Sequence, residues 1–399
     1  MESIISEWTG RAGFEKPQDC QVTVTLREEG GRNILLHSKQ ERMFGNAIRQ
    51  CAENCLDELS AAHVTVEIVD YGCLDFGIAA RIKTAYARAV KEKQNTADFE
   101  QSVISASDRM TEGRMRTMLF CPASQPKMLL NAPVYRPDAI LFDLEDAVTL
   151  AEKDSARDLL CEAMKRLPFG GCQIFTRING LRTRFGEEDV RAIVPAGIRR
   201  IRLAMCESPE DVRALDQLLC EVEKQHGIAA GSVKIQCSIE TAKGVLHARE
   251  SVRASDRVIS LSFGAEDYTR SMGTSRSKEG TELTFARQYL PVIAAEAGIS
   301  AIDTVFADLE DTEGFIAEVK HAKSLGFTGK SCIHPSQIPM VHDIYTPSQK
   351  ELEDARKVLH AMREAEAAGI GVVAVDGKMV DEPVVSKAKY VLQMLGEEV

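Results

Sequence analysis

From residue 114 onward the chain alternates short apolar segments with longer segments of helical spacing, and this alternation restricts the fold more than any other feature. Eight segments have the length and composition of buried strands, and each but the last precedes a predicted helix. They are TMLFCP, AILFDLED, QIFTRI, RIRLAM, KIQCSIE, VISLSFGAED, DTVFAD and TGKSCIHP. Eight such units over about 230 residues predict an α/β fold, a (β/α)8 TIM barrel spanning residues 114–345. A doubly wound open sheet is the alternative.

The chain before this region follows a different pattern. Residues 20–36 and 63–69 alternate apolar and polar side chains, which is typical of half-buried strands. Between them, FGNAIRQCAENCLDEL carries its apolar residues on one helical face, and a second helix is predicted over about residues 76–93. Residues 1–95 are therefore predicted to form a small α+β domain.

Two further segments flank the predicted barrel. Residues 96–113 are polar and are predicted to form a linker. Residues 346–399 contain a long helical stretch, SQKELEDARKVLHAMREAEAAG, followed by a short strand, GVVAV, and a final helical piece. This order predicts a C-terminal helical arm or lid outside the barrel.

Charge and cysteine content limit the partners. The net charge of -11 opposes a nucleic-acid surface, which needs a basic patch. No apolar run approaches the roughly 20 residues of a membrane span, and the first residues lack a signal-peptide pattern. Among the 11 cysteines, Cys51 and Cys55 have the spacing of one buried helical face rather than of a metal or redox pair. We therefore expect a reduced, cytoplasmic protein with no nucleic-acid or membrane partner.

Polar side chains follow five of the predicted strands, at the ends where a TIM barrel carries its active site. Capping of the next helix explains any one of them, and especially Asp146 or Glu266, but it does not explain five at one rim. In chain order they are Asp143, Glu145, Asp146, Arg177, Asn179, Glu240, Glu266, Asp267 and His334.

These residue types suit a hard cation and a small oxo acid. Carboxylates from several strands, with no cysteine or histidine set at metal-ligand spacing, favour Mg²⁺, and Mn²⁺ is also possible. Arg177 would bind a substrate carboxylate with two parallel hydrogen bonds. A metal chelated by the carboxylate and carbonyl of an oxo acid would stabilise a developing oxyanion.

Other chemistries remain open from the residues alone. His334 is either a general base or a residue that orients its loop. Lys243 and Lys330 are either Schiff-base lysines or solvated helix residues. Residues 271–280, SMGTSRSKEG, are predicted to form a mobile loop beside the site. Nucleotide-binding, serine-hydrolase and zinc-protease motifs are not found in the sequence.

Seven ordered motifs resemble the citrate lyase β subunit and, more widely, the HpcH/HpaI aldolase/citrate lyase family of Mg²⁺-dependent lyases, which includes malyl-CoA and citramalyl-CoA lyases. The motifs cover about residues 114–395 and are MLFCPA, DAILFDLEDAV, FTRING, SIETAKGVLHARE, SFGAEDYTR, GKSCIHPSQI and VDGKMVDEPVV. The resemblance implies a barrel with a C-terminal lid, a homo-oligomer, and retro-aldol cleavage of a 3-hydroxy-3-carboxyacyl thioester.

The resemblance also implies residue roles. Glu240 and Asp267 match the family's Mg²⁺ ligands, and Arg177 matches the arginine that binds the oxo acid. Arg116 matches an arginine on the thioester side of the pocket, and Asp381 matches the general acid/base that a neighbouring subunit's lid delivers. Glu145 and Asp146 match the acidic pair that supports the water shell of the metal, and Glu266 is expected beside the metal ligand Asp267.

The N-terminal residues 10–92 resemble the citrate lyase γ subunit, an acyl carrier protein. That family carries its prosthetic arm on a serine, but the matching stretch here is AGFEKPQDC, with Pro17 and Gln18 at the corresponding positions. The thioester is therefore expected to be free CoA or a carrier supplied by another chain. Near the expected thioester pocket, Ala123 replaces a frequent glycine and Met205 a frequent lysine.

Three functions follow as expectations. The first is a citryl thioester lyase giving oxaloacetate and an acetyl thioester, for which a citrate lyase α-type subunit is an expected partner. Citramalyl-CoA or malyl-CoA lyase activity on free CoA thioesters is the alternative within this class. A scaffold subunit without catalytic activity, and a Schiff-base aldolase, are alternatives of other classes.

Overall fold

The computed structural model describes residues 7–94, 114–367, 373–375 and 377–393. The N-terminal domain is a four-stranded sheet with strand order β1-β2-β4-β3, covered by two helices. Its elements are β1 (Trp8–Gly13), β2 (Cys20–Leu26), β3 (Arg32–Ser38), α1 (Glu41–Glu58), β4 (Val64–Asp70) and α2 (Asp75–Gln94). Strand β1 was not predicted. The strict alternation of β2 and β4 buries one face of the sheet, and Cys51 and Cys55 lie on the buried face of α1 as predicted.

Helix α2 belongs to two hydrophobic cores. Ile78 and Ile82 pack in the core of the N-terminal domain, whereas Phe76 and Ala80 belong to the core of the following domain. Because both faces are covered, α2 is buried along most of its length. The predicted linker, residues 96–113, lies outside the described residues.

Eight parallel strands form a closed barrel in which the eighth strand pairs with the first. They are β5 (Thr117–Pro122), β6 (Ala139–Asp143), β7 (Gln173–Ile178), β8 (Arg200–Leu203), β9 (Lys234–Ile239), β10 (Val258–Phe263), β11 (Ser300–Asp303) and β12 (Gly329–Cys332). Closure confirms the predicted TIM barrel and excludes the open doubly wound sheet.

Helices follow the strands and pack outside the barrel. They are α3 (Pro126–Asn131), α4 (Lys153–Arg166), α5 (Arg184–Ile193), α6 (Pro209–Gln225), α7 (Ala242–Leu246), α8 (Ala248–Val252), α9 (Ala265–Ser271), α10 (Thr284–Ala297), α11 (Thr312–Leu325) and α12 (Gln337–Tyr345). Short 3-10 turns occur at Ala132–Tyr135, Leu150–Glu152 and Thr281–Leu283. None of the helices among the described residues is long and apolar enough to cross a membrane.

Several predicted strand boundaries were wrong, most clearly those of the seventh and sixth strands. The seventh strand is Ser300–Asp303 rather than DTVFAD, because the polar-looking segment makes the ladder bonds to β10 and β12. Phe306 of the predicted strand instead packs edge-on against Phe315 of α11, at 5.7 Å between ring centres. The sixth strand ends at Phe263, and Glu266 and Asp267 belong to α9.

The C-terminal residues form an arm with its own hydrophobic core. The arm comprises α13 (Gln349–Ala367), a two-stranded ribbon of β13 (Val373–Val375) and β14 (Lys378–Val380), and α14 (Glu382–Gln393). Leu352 and Leu359 of α13 pack against Val385 and Leu392 of α14. Part of the predicted strand GVVAV, residues 371–372, lies outside the described residues.

Candidate active site

Arg177, near the carboxyl end of β7, is the centre of the candidate site. Its Nε and Nη2 donate to the two carboxylate oxygens of Asp143, at 2.8 and 2.7 Å. Asp143 ends the neighbouring strand β6 and is the ladder partner of Arg177. Arg177 Nη1 lies 2.9 Å from Glu145 Oε2 and donates to Asp146 Oδ2 at 3.2 Å. Three carboxylates of one segment therefore surround one buried guanidinium.

The Asp143–Arg177 pair is stabilised in its ionised form. Burial alone would raise the pKa of Asp143, but the hydrogen bonds and charge of Arg177 outweigh it and hold the pKa below its ordinary value. Burial likewise opposes the charge on Arg177, yet Asp143 and Glu145 raise its pKa above the ordinary value. A fixed charge pair of this kind holds the Arg177 side chain in one orientation.

Glu145 carries the unsatisfied oxygen of the site. Burial raises its pKa to about 8; the charge of Arg177 opposes the rise, and the charges of Asp146, Glu240 and Asp143 add to it. Among the described residues, Glu145 Oε2 is buried and has no hydrogen-bond partner, although Arg177 Nη1 is near. The site therefore has more negative charge than Arg177 alone neutralises.

Glu240 directly follows β9, and neighbouring segments hold its carboxylate closely. Its Oε1 accepts a hydrogen bond from Ser238 Oγ at 2.7 Å, and its Oε2 accepts one from the Met205 amide at 2.9 Å. Met205 has a φ of 50°, a left-handed conformation that costs free energy in a residue with a side chain. On the other side, a Cβ on Gly264 would lie 2.5 Å from Glu240 Cγ. A glycine at 264 leaves room for this carboxylate.

Glu266 and Asp267 lie in the first turn of α9, after the N-cap residue Gly264. Acidic side chains are favourable there because the helix N-terminus is partly positive. Asp267 Oδ1 pairs with Arg270 at 2.6 Å, and Glu266 Oε1 pairs with Arg276 at 2.7 Å. Glu240 directly follows β9, and Asp267 lies in the first turn of the helix that follows β10. Since β9 and β10 are neighbours, both residues lie at the same rim of the barrel.

The loop over residues 271–280 is tied down by ion pairs. Arg276 also contacts Glu318 of α11 at 3.2 Å, and Lys278 contacts Asp311 at 2.7 Å. These contacts do not support the prediction that this loop is mobile.

The structure does not bring Arg116 to the rim. Arg116 precedes β5, so it lies at the amino end of the barrel, opposite the end that carries Arg177. Its Nε and Nη2 each donate to Asp138, both at 2.8 Å, and its Nη1 donates to Thr346 at 2.8 Å. The predicted place of Arg116 on the thioester side of the pocket therefore has no support from its position.

Asp381 belongs to the C-terminal arm and not to a barrel strand. It immediately precedes α14, and its carbonyl accepts hydrogen bonds from the amides of Val384 and Val385. Tyr390 of the same helix interacts electrostatically with Arg114 and Tyr345, which lie at the amino end of the barrel. No hydrogen bond or ion pair within the described ranges joins Asp381 to the Arg177 site.

The two lysines and the histidine have other surroundings. Lys330 lies on β12, fully buried, and donates to Asp303 at 2.7 Å and to Glu318 at 2.6 Å, so it is not a solvated helix residue. Lys243 is exposed and lies 3.5 Å from Glu207. His334 is exposed at the end of β12, where its Nδ1 and the Ser336 hydroxyl share a hydrogen bond of 2.8 Å.

Sequence reasoning missed two buried cations at the site. Arg202, the ladder partner of Arg177 on β8, lies over the Phe120 ring at 5.2 Å, and Arg177 lies over the same ring at 5.4 Å. Burial and the charge of Arg177 lower the pKa of Arg202 to about 9. Lys153 at the start of α4 donates to the carbonyls of Leu144 and Glu145, at 2.8 and 2.6 Å. A charged residue inside a predicted buried strand is the signal that identifies Arg202.

The donor set fits a hard divalent cation. Glu240 and Glu145 are close enough to interact electrostatically, and Asp267 lies in the first turn of α9, which follows the strand next to β9. All three offer carboxylate oxygens, which Mg²⁺ prefers, and the unsatisfied Oε2 of Glu145 is an oxygen that a metal-bound water would satisfy.

Together these features define a (β/α)8-barrel lyase or aldolase, with an arginine for an organic anion beside an acidic site. Residues 116–335 match the family described as HpcH/HpaI aldolase/citrate lyase, and the chain belongs to this family. Residues 8–89 match the ACP family, described as malonate decarboxylase delta subunit (MdcD). The predicted lyase resemblance and the acyl-carrier resemblance are both confirmed.

Three proteins illustrate the similarity. The citrate lyase subunit beta of Leuconostoc mesenteroides subsp. cremoris is 45% identical over 279 residues, which are 70% of this chain and 92% of that protein. The L-malyl-CoA/beta-methylmalyl-CoA lyase of Cereibacter sphaeroides is 32% identical over 298 residues, covering 70% of this chain and 93% of that protein. The crystal structure of CitE from Mycobacterium tuberculosis, in complex with magnesium, acetoacetate and coenzyme A, has 32% identity and a TM-score of 0.59, covering 71% of this chain and 99% of that chain.

Proposed function

We propose that this protein is a Mg²⁺-dependent carbon–carbon lyase that cleaves a 3-hydroxy-3-carboxyacyl thioester. The first-choice substrate is a citryl thioester, with oxaloacetate and an acetyl thioester as products. The observation that carries the proposal is the buried Arg177 among Asp143, Glu145 and Asp146, beside Glu240. The match to citrate lyase beta subunits and the magnesium and coenzyme A bound to CitE support it.

Glu240 and Asp267 would hold the magnesium ion, and Glu145 and Asp146 would hold waters of its coordination shell. Glu266 would support Asp267 from the same helical turn. When bound, the ion supplies positive charge that stabilises an oxyanion on the oxo acid. Asp267 must leave its ion pair with Arg270 to take part, which the exposed position of Arg270 permits.

Arg177 would bind the carboxylate of the oxo acid. Asp143 occupies its Nε and Nη2, so Nη1 is the donor that turns toward Glu145 and Asp146 and toward a substrate. Since the pair with Asp143 fixes the guanidinium plane, substrate binding costs little side-chain entropy. Arg177 thereby positions the scissile carbon–carbon bond without itself transferring a proton.

The proton transfers would be made by Asp381 of a neighbouring copy. A base takes the hydroxyl proton of the substrate, the carbon–carbon bond breaks, the oxo acid forms, and the acetyl thioester leaves as an enolate that is then protonated. Two observations support delivery in trans: the arm has its own hydrophobic core, and among the described residues no hydrogen bond or ion pair joins Asp381 to the Arg177 site. Mixing two inactive variants, Asp381→Asn and Asp267→Asn, should restore activity as subunits exchange, because mixed oligomers contain some complete sites. Continued inactivity despite demonstrated exchange would contradict delivery in trans.

The thioester would be free CoA or a carrier on another chain. Pro17 and Gln18 stand where the carrier family has its serine, and neither offers a hydroxyl for a phosphodiester. This loss, together with the similarity to L-malyl-CoA/beta-methylmalyl-CoA lyase, favours citramalyl-CoA or malyl-CoA lyase as the second candidate function. Arg116 has no role in this proposal, because Asp138 and Thr346 occupy its donors.

Direct cleavage assays test the proposal. The purified chain is incubated with citryl-CoA, citramalyl-CoA or malyl-CoA, with Mg²⁺ or with EDTA, and release of the oxo acid is followed. Mg²⁺-dependent cleavage is expected, with loss of activity in Asp267→Asn. Full activity in EDTA would overturn the metal-dependent mechanism, and lack of both metal binding and cleavage would favour a scaffold subunit.

The cellular setting follows from the same proposal. All eleven cysteines are free thiols and ten of them are buried, which supports a reducing compartment such as the cytoplasm. A homo-oligomer is required for Asp381 to act on a neighbour. A citrate lyase α-type subunit remains the proposed partner if the citryl thioester is bound to a carrier.

A further inference from the structure

We propose that the N-terminal domain has become part of the active-site scaffold, and that its Arg88 is the positioning residue for the acidic segment at residues 143–146. The inference rests on the proposed function, because it concerns Glu145 and Asp146 beside the metal site. Carrier domains normally present a movable arm. A carrier-like domain that is fixed to the catalytic domain and holds part of its active site in place is a different use of the same fold.

The N-terminal domain is fixed to the barrel by buried charged contacts. Arg81 of α2 is fully buried and pairs with Asp19 of its own domain at 2.9 Å. The same guanidinium donates to Ser155 Oγ at 2.5 Å and to the Ser124 carbonyl at 3.1 Å. Ser124 follows β5 and Ser155 lies in the first turn of α4, so Arg81 joins the domain to two elements at the carboxyl side of the barrel. Separating the domains would leave Arg81 without these partners, which is costly for a buried charge.

Arg88, two helical turns further along α2, holds the segment that leads into α4. Its Nε and Nη2 form a two-point contact with Asp154, at 3.0 and 2.6 Å. Nη2 also donates to the Ala151 carbonyl at 2.7 Å, and Nη1 donates to the Arg11 carbonyl of β1 at 2.6 Å. One guanidinium therefore ties the sheet of the N-terminal domain to both sides of Lys153.

Lys153 carries this constraint to the site. The side chain is buried and its Nζ donates to the carbonyls of Leu144 and Glu145, at 2.8 and 2.6 Å. Those two peptide groups set the direction in which the Glu145 side chain leaves the backbone. The path runs from Arg88, through the first turn of α4 and Lys153, to the carboxylate whose Oε2 lacks a hydrogen bond.

Lys83 provides a matched control at the same interface. It also lies on α2 and also joins α4, donating to Glu162 at 2.9 Å. Glu162 lies eight residues beyond Asp154 in the sequence, about 12 Å along the helix at a rise of about 1.5 Å per residue. Removing this pair weakens the interface without touching Lys153 or the acidic segment.

The test measures Mn²⁺ affinity by electron paramagnetic resonance in the full-length chain, together with thermal melting. The variants are Arg88→Met, Lys153→Met, the double variant and the control Lys83→Met. We expect Arg88→Met to raise the Mn²⁺ dissociation constant about 10-fold, at the lower end of the range for residues that orient metal ligands. The double variant should bind as weakly as Lys153→Met alone, because both substitutions act through one path, and Lys83→Met should stay within about twofold of the wild type.

Each outcome decides the inference. A wild-type dissociation constant in Arg88→Met would overturn it, and so would an equal weakening in Lys83→Met, since that would reflect loss of docking in general. Additive effects of Arg88→Met and Lys153→Met would refute the shared path. Failure of the wild-type protein to bind Mn²⁺ would instead overturn the proposed function, so the two failures are distinguishable.

Discussion

Replacement of Gly264 by alanine should displace Glu240 and impair the site without straining the backbone. Gly264 has φ of -110° and ψ of 94°, an extended conformation that alanine adopts readily. Any effect must therefore come from the added methyl group. That Cβ would lie 2.5 Å from Glu240 Cγ, 3.1 Å from its Oε1 and 3.2 Å from its Cδ.

The size of the displacement follows from these distances. Non-bonded carbon atoms are most stable at about 3.5–4.0 Å, so the Glu240 side chain has to move by about 1 Å. Its carboxylate is held by Ser238 and Met205 at 2.7 and 2.9 Å, and a shift of that size breaks at least one of these bonds. Misplacement of a catalytic group by about 1 Å costs about 100-fold in rate, and overpacking costs about 1–3 kcal/mol of stability.

Gly180 supplies the control for this experiment. It also follows a barrel strand, it has no positive φ, and a Cβ there meets nothing within 4 Å. We expect Gly180→Ala to keep wild-type activity and Mn²⁺ affinity, whereas Gly264→Ala loses about 100-fold in kcat/KM and at least about 10-fold in metal affinity. Wild-type turnover and metal binding in Gly264→Ala would refute the reasoning that Glu240 depends on this close contact.

Three further predictions follow from buried charges. Burial raises the pKa of Asp158 at the domain interface to about 6 from 3.8, so the folded protein loses stability as pH rises from about 4 to about 6 and this carboxyl ionises. The loss is at most about 3 kcal/mol. Asp158→Asn should abolish it, which melting temperatures of the wild type and the variant at pH 4 and pH 8 would reveal. Arg116→Ala leaves Asp138 without its main partner and should destabilise the protein by about 3 kcal/mol with little change in KM for the thioester, whereas a large rise in KM would restore a substrate role. Lys330→Met should likewise lower the melting temperature, because it leaves the buried carboxylates of Asp303 and Glu318 without this partner. Borohydride with substrate should trap no lysine adduct in the wild type, because the Lys330 amine is buried and bonded to both carboxylates.

Much of the fold was predictable because it depends on local pattern. The eight apolar segments were identified by length and composition. Asp143, Arg177 and Glu240 lie at the ends of three of these strands, and the barrel brings them together as expected. The prediction was wrong for β11, where the strand sequence SAID has little hydrophobic character and is fixed by pairing with β10 and β12. Strand pairing is a non-local interaction that no window of sequence contains.

The site was predictable in its residue types more than in its contacts. Arg116 shows the difference: the family resemblance assigned it to the thioester side of the pocket, but its place before β5 puts it at the opposite end of the barrel, paired with Asp138. Arg202 shows the same limit from the other side. Its place in a predicted buried strand marks it as unusual, but the sequence does not show that it shares the Phe120 ring with Arg177. The roles assigned to Glu240, Asp267 and Asp381 stay predictions until the variants above are measured.

The sequence by itself determined the eight-fold repetition, the membership of the lyase family, and the residue types available for a metal and an oxo acid. Those properties are local, because period, motif and residue identity are contained in short stretches of chain. Only the tertiary structure decided which charges neutralise each other, that Glu145 keeps an unsatisfied oxygen, and that Arg88 of the N-terminal domain holds the start of α4. These depend on the distance and orientation between side chains far apart in sequence, which strand pairing and helix packing set only when the whole chain has folded.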